Sequence, residues 1–164
     1  MKASINGWLG IAAVVLLSAC ESHDPLLEPP GTGQLAAYPI RLEGLGGQTF
    51  DDAELGEGAT IAVIWASWSP RSRDIVERVN PLVSRWGGRA RVITINFQED
   101  RETVRSFLSG RFLLAPVFLD SEGAFSQKYR VATLPGLLIV MDGEVVFRGK
   151  LPDDPDRVIA DLLR

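Results

Sequence analysis

Residues 59–73, ATIAVIWASWSPRSR, join an uninterrupted apolar run to a polar segment that starts at Ser-Pro. An apolar run of this length, rich in β-branched residues, predicts a central strand buried on both faces of a sheet. We expect a helix from about Pro70, because apolar residues follow at helical spacing. These residues are Ile75, Val79, Leu82 and Trp86, and Gly87-Gly88 then ends the helix.

The chain around this stretch alternates strand and helix patterns from Tyr38 onward. Residues 38–50 predict a short N-terminal β-hairpin with glycines at its turn, and Asp142-Gly143 between two apolar runs predicts a second hairpin. Further strands are expected at 91–97 and 115–120, and further helices at 100–110, at 124–129 and after an acidic N-cap near Pro155. The alternation predicts an α/β domain with a central mixed sheet and helices on both faces.

Length and composition restrict the function. The chain has 164 residues, of which 46% are hydrophobic, enough for one domain with a substantial core. Its formal net charge of −4, without any block of basic residues, argues against a nucleic-acid partner. The single histidine, His23, and the single cysteine, Cys20, supply too few ligands for a metal site, so we predict no metal and no cofactor.

The N-terminus predicts a lipoprotein signal peptide over residues 1–19. Lys2 gives a positive start, and the apolar run Trp8–Ala19 is shorter than the ~20 residues that span a bilayer. Leu17–Cys20, LSAC, resembles a bacterial lipobox, which implies cleavage before Cys20 and lipid attachment to its sulfur. An ordinary secretory peptide that contains a cysteine is the alternative.

The segment after Cys20 predicts a tether between membrane and domain. Residues 20–37 are rich in Pro, Gly and small polar residues, which favours a flexible linker and leaves 38–164 as the folded domain. We expect the protein in the bacterial cell envelope, facing the periplasm. Glu21-Ser22 lacks the Asp that commonly holds lipoproteins at the inner membrane, which favours the outer membrane.

The element order over 38–164 resembles the thioredoxin fold, and more narrowly the TlpA-like family of membrane-attached periplasmic thioredoxins. GGQTFDDAEL (46–55), AVIWASWSPRSR (62–73) and the stretch from Phe112 to Leu151 carry the resemblance. ATLPG (132–136) matches the loop that in thioredoxins holds a cis-proline beside the active site. The match implies that Pro135 follows a cis peptide bond and that Thr133-Leu134 is the backbone that pairs with a bound peptide.

The sequence departs from this family where its chemistry is carried out. Ordinary members exchange disulfides through two cysteines, whereas this chain has Ser69 and Ser72 at those positions. An oxygen atom cannot form or exchange a disulfide, and the predicted lipidation would block Cys20. Composition therefore excludes thiol–disulfide exchange, although the resemblance alone would imply a thiol–disulfide oxidoreductase. Val63 also stands where many thioredoxins bury a carboxylate.

Three roles remain open for the serines. Ser69 before Pro70 suits a helix N-cap, and Ser72 suits a polar first-turn residue. Alternatively, the site is retained as a binding surface, a shallow apolar groove of Trp68, Pro70, Pro135 and the Leu134 backbone. A catalytic Ser69, as in glutathione transferases or serine hydrolases, is the third role, but the only histidine lies in the tether.

The charged residues beside Ser69 have two interpretations. Arg71 and Arg73 near a helix start would attract an anion, or would be ordinary solvated charges. Copper delivery needs soft ligands, and only Met141 and His23 remain, so we reject it.

These observations favour a non-enzymatic binding or assembly module. We expect a redox-inactive thioredoxin-like lipoprotein that holds a periplasmic protein or an extended peptide against Trp68, Pro70, Arg71 and the Thr133–Pro135 loop. A relic of a redox enzyme, with serines that only cap a helix, is the competing interpretation.

Overall fold

A computed structural model describes residues 39–164. The predicted signal peptide (1–19) and tether (20–37), including Cys20, lie outside the described residues and stay predictions. The strands are β1 Arg41–Gly44, β2 Thr49–Asp51, β3 Ala59–Trp65, β4 Arg91–Phe97, β5 Val117–Asp120, β6 Gly136–Met141 and β7 Glu144–Lys150. The helices are α1 Ile75–Trp86, α2 Arg101–Phe107, α3 Ala124–Lys128 and α4 Pro155–Leu162, with short 3₁₀ turns at Asp52–Gly56 and Pro70–Ser72.

The strands form one mixed sheet in the order β2-β1-β5-β4-β3-β6-β7. β3, β4 and β5 run parallel to one another, and the remaining pairs are antiparallel. The apolar run that begins at Ala59 forms β3, near the middle of the sheet, and it is buried from Thr60 through Trp65. Both hairpins form as predicted, β1–β2 and β6–β7.

Alternate residues of β3 enter two separate cores. Ile61, Val63 and Trp65 pack with residues of α1, α2 and α4. Ala62 and Ile64 enter a second core with Phe125 of α3. Because a strand points successive side chains to opposite faces, helices on both faces of the sheet are required to bury this run. The predicted α/β architecture is confirmed.

The helix after β3 begins later than the sequence indicated. Pro70–Ser72 forms a 3₁₀ turn, and α1 starts at Ile75 after Asp74, whose φ of −100° and ψ of 24° are not helical. Gly87 ends α1, as predicted. The early start was wrong because the apolar spacing begins only at Ile75, and Pro70 by itself fixes one turn.

Two acidic N-caps differ in their contacts. Asp100 caps α2, since its carboxylate accepts a hydrogen bond from the Thr103 N–H at 2.8 Å. This hydrogen bond lowers the pKa of Asp100, because it stabilises the ionised carboxylate. Asp154 occupies the N-cap position of α4 but makes no side-chain capping hydrogen bond, so only its position was predicted correctly.

Candidate functional site

The site lies where the loop after β3 meets the loop before β6. Ile64 is paired with Gly136 in the antiparallel β3–β6 ladder, so the end of β3 and the start of β6 are neighbours. The chain leaving β3 turns at once, because the Ser69 N–H donates to the Ala66 carbonyl at 3.1 Å. This turn brings Ser69 against the loop that leads into β6.

The loop before β6 has the conformation that the family match implied. The Leu134–Pro135 peptide is cis. Pro135 is buried, and its carbonyl accepts a hydrogen bond from the Leu151 N–H at 2.9 Å. Pro135 is therefore the buried end of the loop, whereas Thr133 is exposed and Leu134 is half-buried.

Ser69 does not cap the helix with its side chain. It is the N-cap residue of the 3₁₀ turn, but its hydroxyl accepts no capping hydrogen bond. The Ser72 N–H, a donor that a cap would satisfy, already donates to the Ser69 carbonyl at 2.9 Å. Ser69 Oγ instead donates to the Leu134 carbonyl at 3.4 Å. The capping prediction is wrong, and the hydroxyl links the two loops.

Ser72 is not a solvated first-turn residue. Its side chain is fully buried, and its hydroxyl has no hydrogen-bond partner among residues 39–164. A buried hydroxyl without a partner carries a desolvation cost of about 1–3 kcal/mol. Among the described residues nothing stabilises that hydroxyl in return.

A groove of about 330 Å³ runs beside Ser69. It is lined by Trp68, Ser69, Phe97, Val131, Ala132, Thr133 and Leu134. Trp68 is the exposed large apolar side chain of this set, with 60% of its surface exposed. We call this cleft the Trp68 groove. Its lining is apolar apart from two hydroxyl-bearing side chains, which suits an apolar side chain of a ligand.

The Trp68 groove contains only part of the predicted set. Trp68, Thr133 and Leu134 line it, but Pro135 is buried. Pro70 and Arg71 line a separate groove described below. The predicted single surface of Trp68, Pro70 and Pro135 therefore divides, because the chain turns away into the 3₁₀ turn directly after Ser69.

Three lining residues were missed by sequence reasoning. Phe97 ends β4, and Trp65 of β3 is paired with Asn96 of β4, so Phe97 lies level with the loop after β3. Val131 and Ala132 directly precede the Thr133-Leu134 pair. The rule that parallel strands end at the same edge would have indicated Phe97, since β3 and β4 were both predicted.

A buried carboxylate beneath the loop was also missed. Glu99 accepts hydrogen bonds from the Ser67 N–H at 2.7 Å, from the Ser67 hydroxyl, and from Asn96 Nδ2 at 2.6 Å. Glu99 is 9% exposed. The carboxylate fixes the residue next to Trp68 and so holds the edge of the Trp68 groove in place.

The described residues contain neither a metal-ligand cluster nor a membrane-spanning helix. Among residues 39–164 no group of three or more His, Cys, Asp or Glu side chains is placed to hold a metal ion. No helix within that range has the length and apolar character needed to cross a membrane.

Comparisons with known proteins agree on the fold. No family model matches the chain. Thioredoxin of Bacillus subtilis (strain 168) is 28% identical over 94 residues, which are 57% of this chain and 69% of that protein. The pneumococcal exposed lipoprotein thioredoxin Etrx1 from Streptococcus pneumoniae strain TIGR4 superposes with a TM-score of 0.67 at 17% identity, covering 76% of this chain and 98% of that chain.

A second solved structure gives the same result. The putative thiol:disulfide interchange protein DsbE from Chlorobium tepidum has a TM-score of 0.66 at 20% identity, covering 77% of this chain and 92% of that chain. The fold is thioredoxin-like, and the solved structures that share it include proteins described as disulfide oxidoreductases.

Proposed function

We propose that this protein is a redox-inactive thioredoxin-like lipoprotein of TlpA-like type that holds an extended peptide of a partner protein in the Trp68 groove. The observation that carries the proposal is an exposed Trp68 beside the cis-proline loop, at a site whose two cysteine positions hold serine. The binding part of the site is present without the reactive part.

Apolar burial at Trp68 would contribute to binding at this groove. Covering the exposed part of Trp68 with apolar atoms contributes roughly 2–4 kcal/mol before the costs of association. Thr133 is exposed beside it, on the loop to which an extended ligand would add main-chain hydrogen bonds. Tryptophan is highly buried on average, so a side chain with 60% of its surface exposed is unusual.

The chemistry argues against disulfide exchange. Serine hydroxyls cannot form the mixed disulfide on which that reaction depends. Cys20, the only thiol, is the proposed lipid attachment site in the cell envelope, on the periplasmic side and at the outer membrane. We place no cofactor or catalytic role at Ser69 or Ser72.

A panning experiment tests the binding role. A phage-displayed library of random peptides is selected on the purified full chain, on Trp68→Ala and on Glu57→Ala. Glu57 is exposed just before β3, at the opposite end of that strand from Trp68, and is the matched control. We expect enrichment on the wild type and Glu57→Ala only. Equal enrichment of peptides on Trp68→Ala and the wild type, or no enrichment on any of the three proteins, would overturn the proposal.

An insulin-reduction assay tests the redox part. The full chain should show no rate above the blank, while thioredoxin serves as the positive control. A rate that a thiol-blocking reagent abolishes would instead establish a thiol–disulfide oxidoreductase.

A further inference from the structure

A second groove adjoins the Trp68 groove. Ser69 lines the Trp68 groove, and the next residue, Pro70, lines this second cleft of about 560 Å³. Four cationic side chains line it, those of Arg71, Arg73, Arg78 and Lys150, together with the carboxylates of Asp74 and Asp153. We call it the basic groove.

The basic groove concentrates positive charge on an acidic protein. Four cations against two carboxylates leave two net positive charges, whereas the whole chain has a formal net charge of −4. Local potential, rather than net charge, selects a charged ligand at a cleft. An anionic ligand is therefore favoured here, although the remaining surface disfavours it.

Three of the cations are not used by the fold. Arg71, Arg73 and Lys150 are exposed and form no ion pair with another residue between 39 and 164. Arg78 differs, because its guanidinium donates to the carbonyls of Leu151 and Pro152 at 3.1 and 2.8 Å. Arg78 thus fixes one wall, and the other three are available to a ligand.

Residues that line the two grooves are neighbours in the chain and in the sheet. Lys150 is paired with Gly136 at the start of β6, and Leu151 donates to the Pro135 carbonyl. The loop that lines the Trp68 groove therefore continues into residues that are bonded to the end of β7, where Lys150 lines the basic groove. An extended peptide adds about 3.3 Å per residue, which makes it the kind of ligand that would reach from one groove to the other.

We infer that the preferred ligand is an extended peptide with an apolar side chain for the Trp68 groove and acidic residues a short distance along the chain for the basic groove. This inference rests on the proposed function and names its ligand class. The guanidinium groups of Arg71 and Arg73 match carboxylates in geometry, and Lys150 adds a third charge from β7. Each exposed ion pair contributes little binding free energy, so the acidic residues raise the affinity of a peptide that already binds through its apolar side chain.

Synthetic peptides test the charge preference directly. Fluorescein-labelled GSTLTGDDG, its uncharged match GSTLTGNNG, the basic GSTLTGKKG and the leucine-free GSTSTGDDG are titrated with the full chain by fluorescence anisotropy. GDDGTLTSG and GNNGTLTSG repeat the comparison in the reverse direction. In one of the two chain directions, we expect the DD peptide to bind about tenfold more tightly than the NN peptide of the same direction. This advantage should shrink as NaCl rises from about 50 to about 300 mM.

Matched variants locate the effect. Arg71→Gln and Lys150→Gln should each reduce the affinity advantage of the DD peptide over the NN peptide several-fold. Arg91→Gln is the control. Arg91 is exposed at the start of β4, where it is paired with Thr60 of β3, at the opposite end of the strand from the Trp68 groove. Removing its charge should leave the DD advantage intact.

The outcomes separate this inference from the proposed function. Equal binding of the DD and NN peptides in both directions would overturn the charge preference while the Trp68 groove stands. No binding of any leucine peptide would overturn the proposed function itself. Equal binding of GSTSTGDDG and GSTLTGDDG, or comparable binding to vesicles of anionic phospholipid, would show a general anion surface and overturn the two-part ligand.

Discussion

Glu99 holds Ser67 at two points, accepting hydrogen bonds from its backbone N–H at 2.7 Å and from its hydroxyl. The same carboxylate accepts a third hydrogen bond from the buried amide of Asn96. Glu99 lies just after β4 and Ser67 just after β3, so the contact fastens together two loops that follow parallel strands. The tryptophan next to Ser67 is thereby presented from a fixed backbone.

Replacing Glu99 should destabilise the fold. Glu99→Ala leaves the Ser67 N–H and the Asn96 amide without their acceptor, and we expect the free energy of unfolding to fall by about 2–4 kcal/mol. Urea denaturation of the full chain measures it. Glu102→Ala, exposed in the first turn of α2, is the control and should change it by less than about 0.5 kcal/mol. Similar losses in both variants would contradict the role of the contact.

Replacing Ser72 or Ser67 by alanine should change the free energy of unfolding in opposite directions. Ser72→Ala removes a buried hydroxyl without a partner, so the free energy of unfolding should stay unchanged or rise by up to about 1 kcal/mol. Ser67→Ala removes a hydrogen bond to a carboxylate and should lower it by about 1–2 kcal/mol. A loss above about 1 kcal/mol in Ser72→Ala, measured in urea, would mean that the hydroxyl has a stabilising contact.

Gly136 should resist any side chain. A Cβ there would lie 2.8 Å from both the Thr133 carbonyl oxygen and Val131 Cγ1, so the loop beside the Trp68 groove would have to move. We expect Gly136→Ala to lower the free energy of unfolding by about 1–3 kcal/mol. Gly56→Ala, which meets nothing within 4 Å, is the control and should cause no loss. Equal behaviour of both variants in thermal unfolding would disprove the steric account.

Tyr129 should make the protein sensitive to alkali. Burial raises the pKa of Tyr129 above the ordinary value of 10.0, and the nearby Asp52 carboxylate raises it further. Folded Tyr129 therefore keeps its proton at pH values where the unfolded chain releases it. The contribution of Tyr129 to the free energy of unfolding is fully present below about pH 10 and is lost as the pH rises above that value.

The matched variant Tyr129→Phe isolates this effect. Its urea midpoint should fall less steeply than that of the wild type between about pH 9 and pH 11.5. At neutral pH it should be about 1 kcal/mol less stable, because the 3.1 Å hydrogen bond to Asp52 is lost. Parallel pH profiles would contradict the raised pKa.

Much of the fold follows from local pattern. The continuous apolar run of β3 requires cover on both faces, and Asp142-Gly143 specifies its hairpin because both residues adopt positive φ, 48° and 85°. The start of α1 did not follow from pattern. Pro70 is compatible with either an α-helix or a 3₁₀ turn, and the apolar positions that distinguish the two begin only at Ile75.

The chain composition alone determined that Ser69 and Ser72 provide no thiol, since this depends on residue identity and on nothing else. The tertiary structure decided what surrounds them. Ser69 donates to a carbonyl 65 positions away, and Arg71 shares a groove with Lys150 of β7. Such neighbours depend on strand order and register, which place Gly136 against both Ile64 and Lys150. A linear pattern carries the periodicity of each strand but not its pairing, so the division of the site into an apolar and a basic groove emerged only with the assembled sheet.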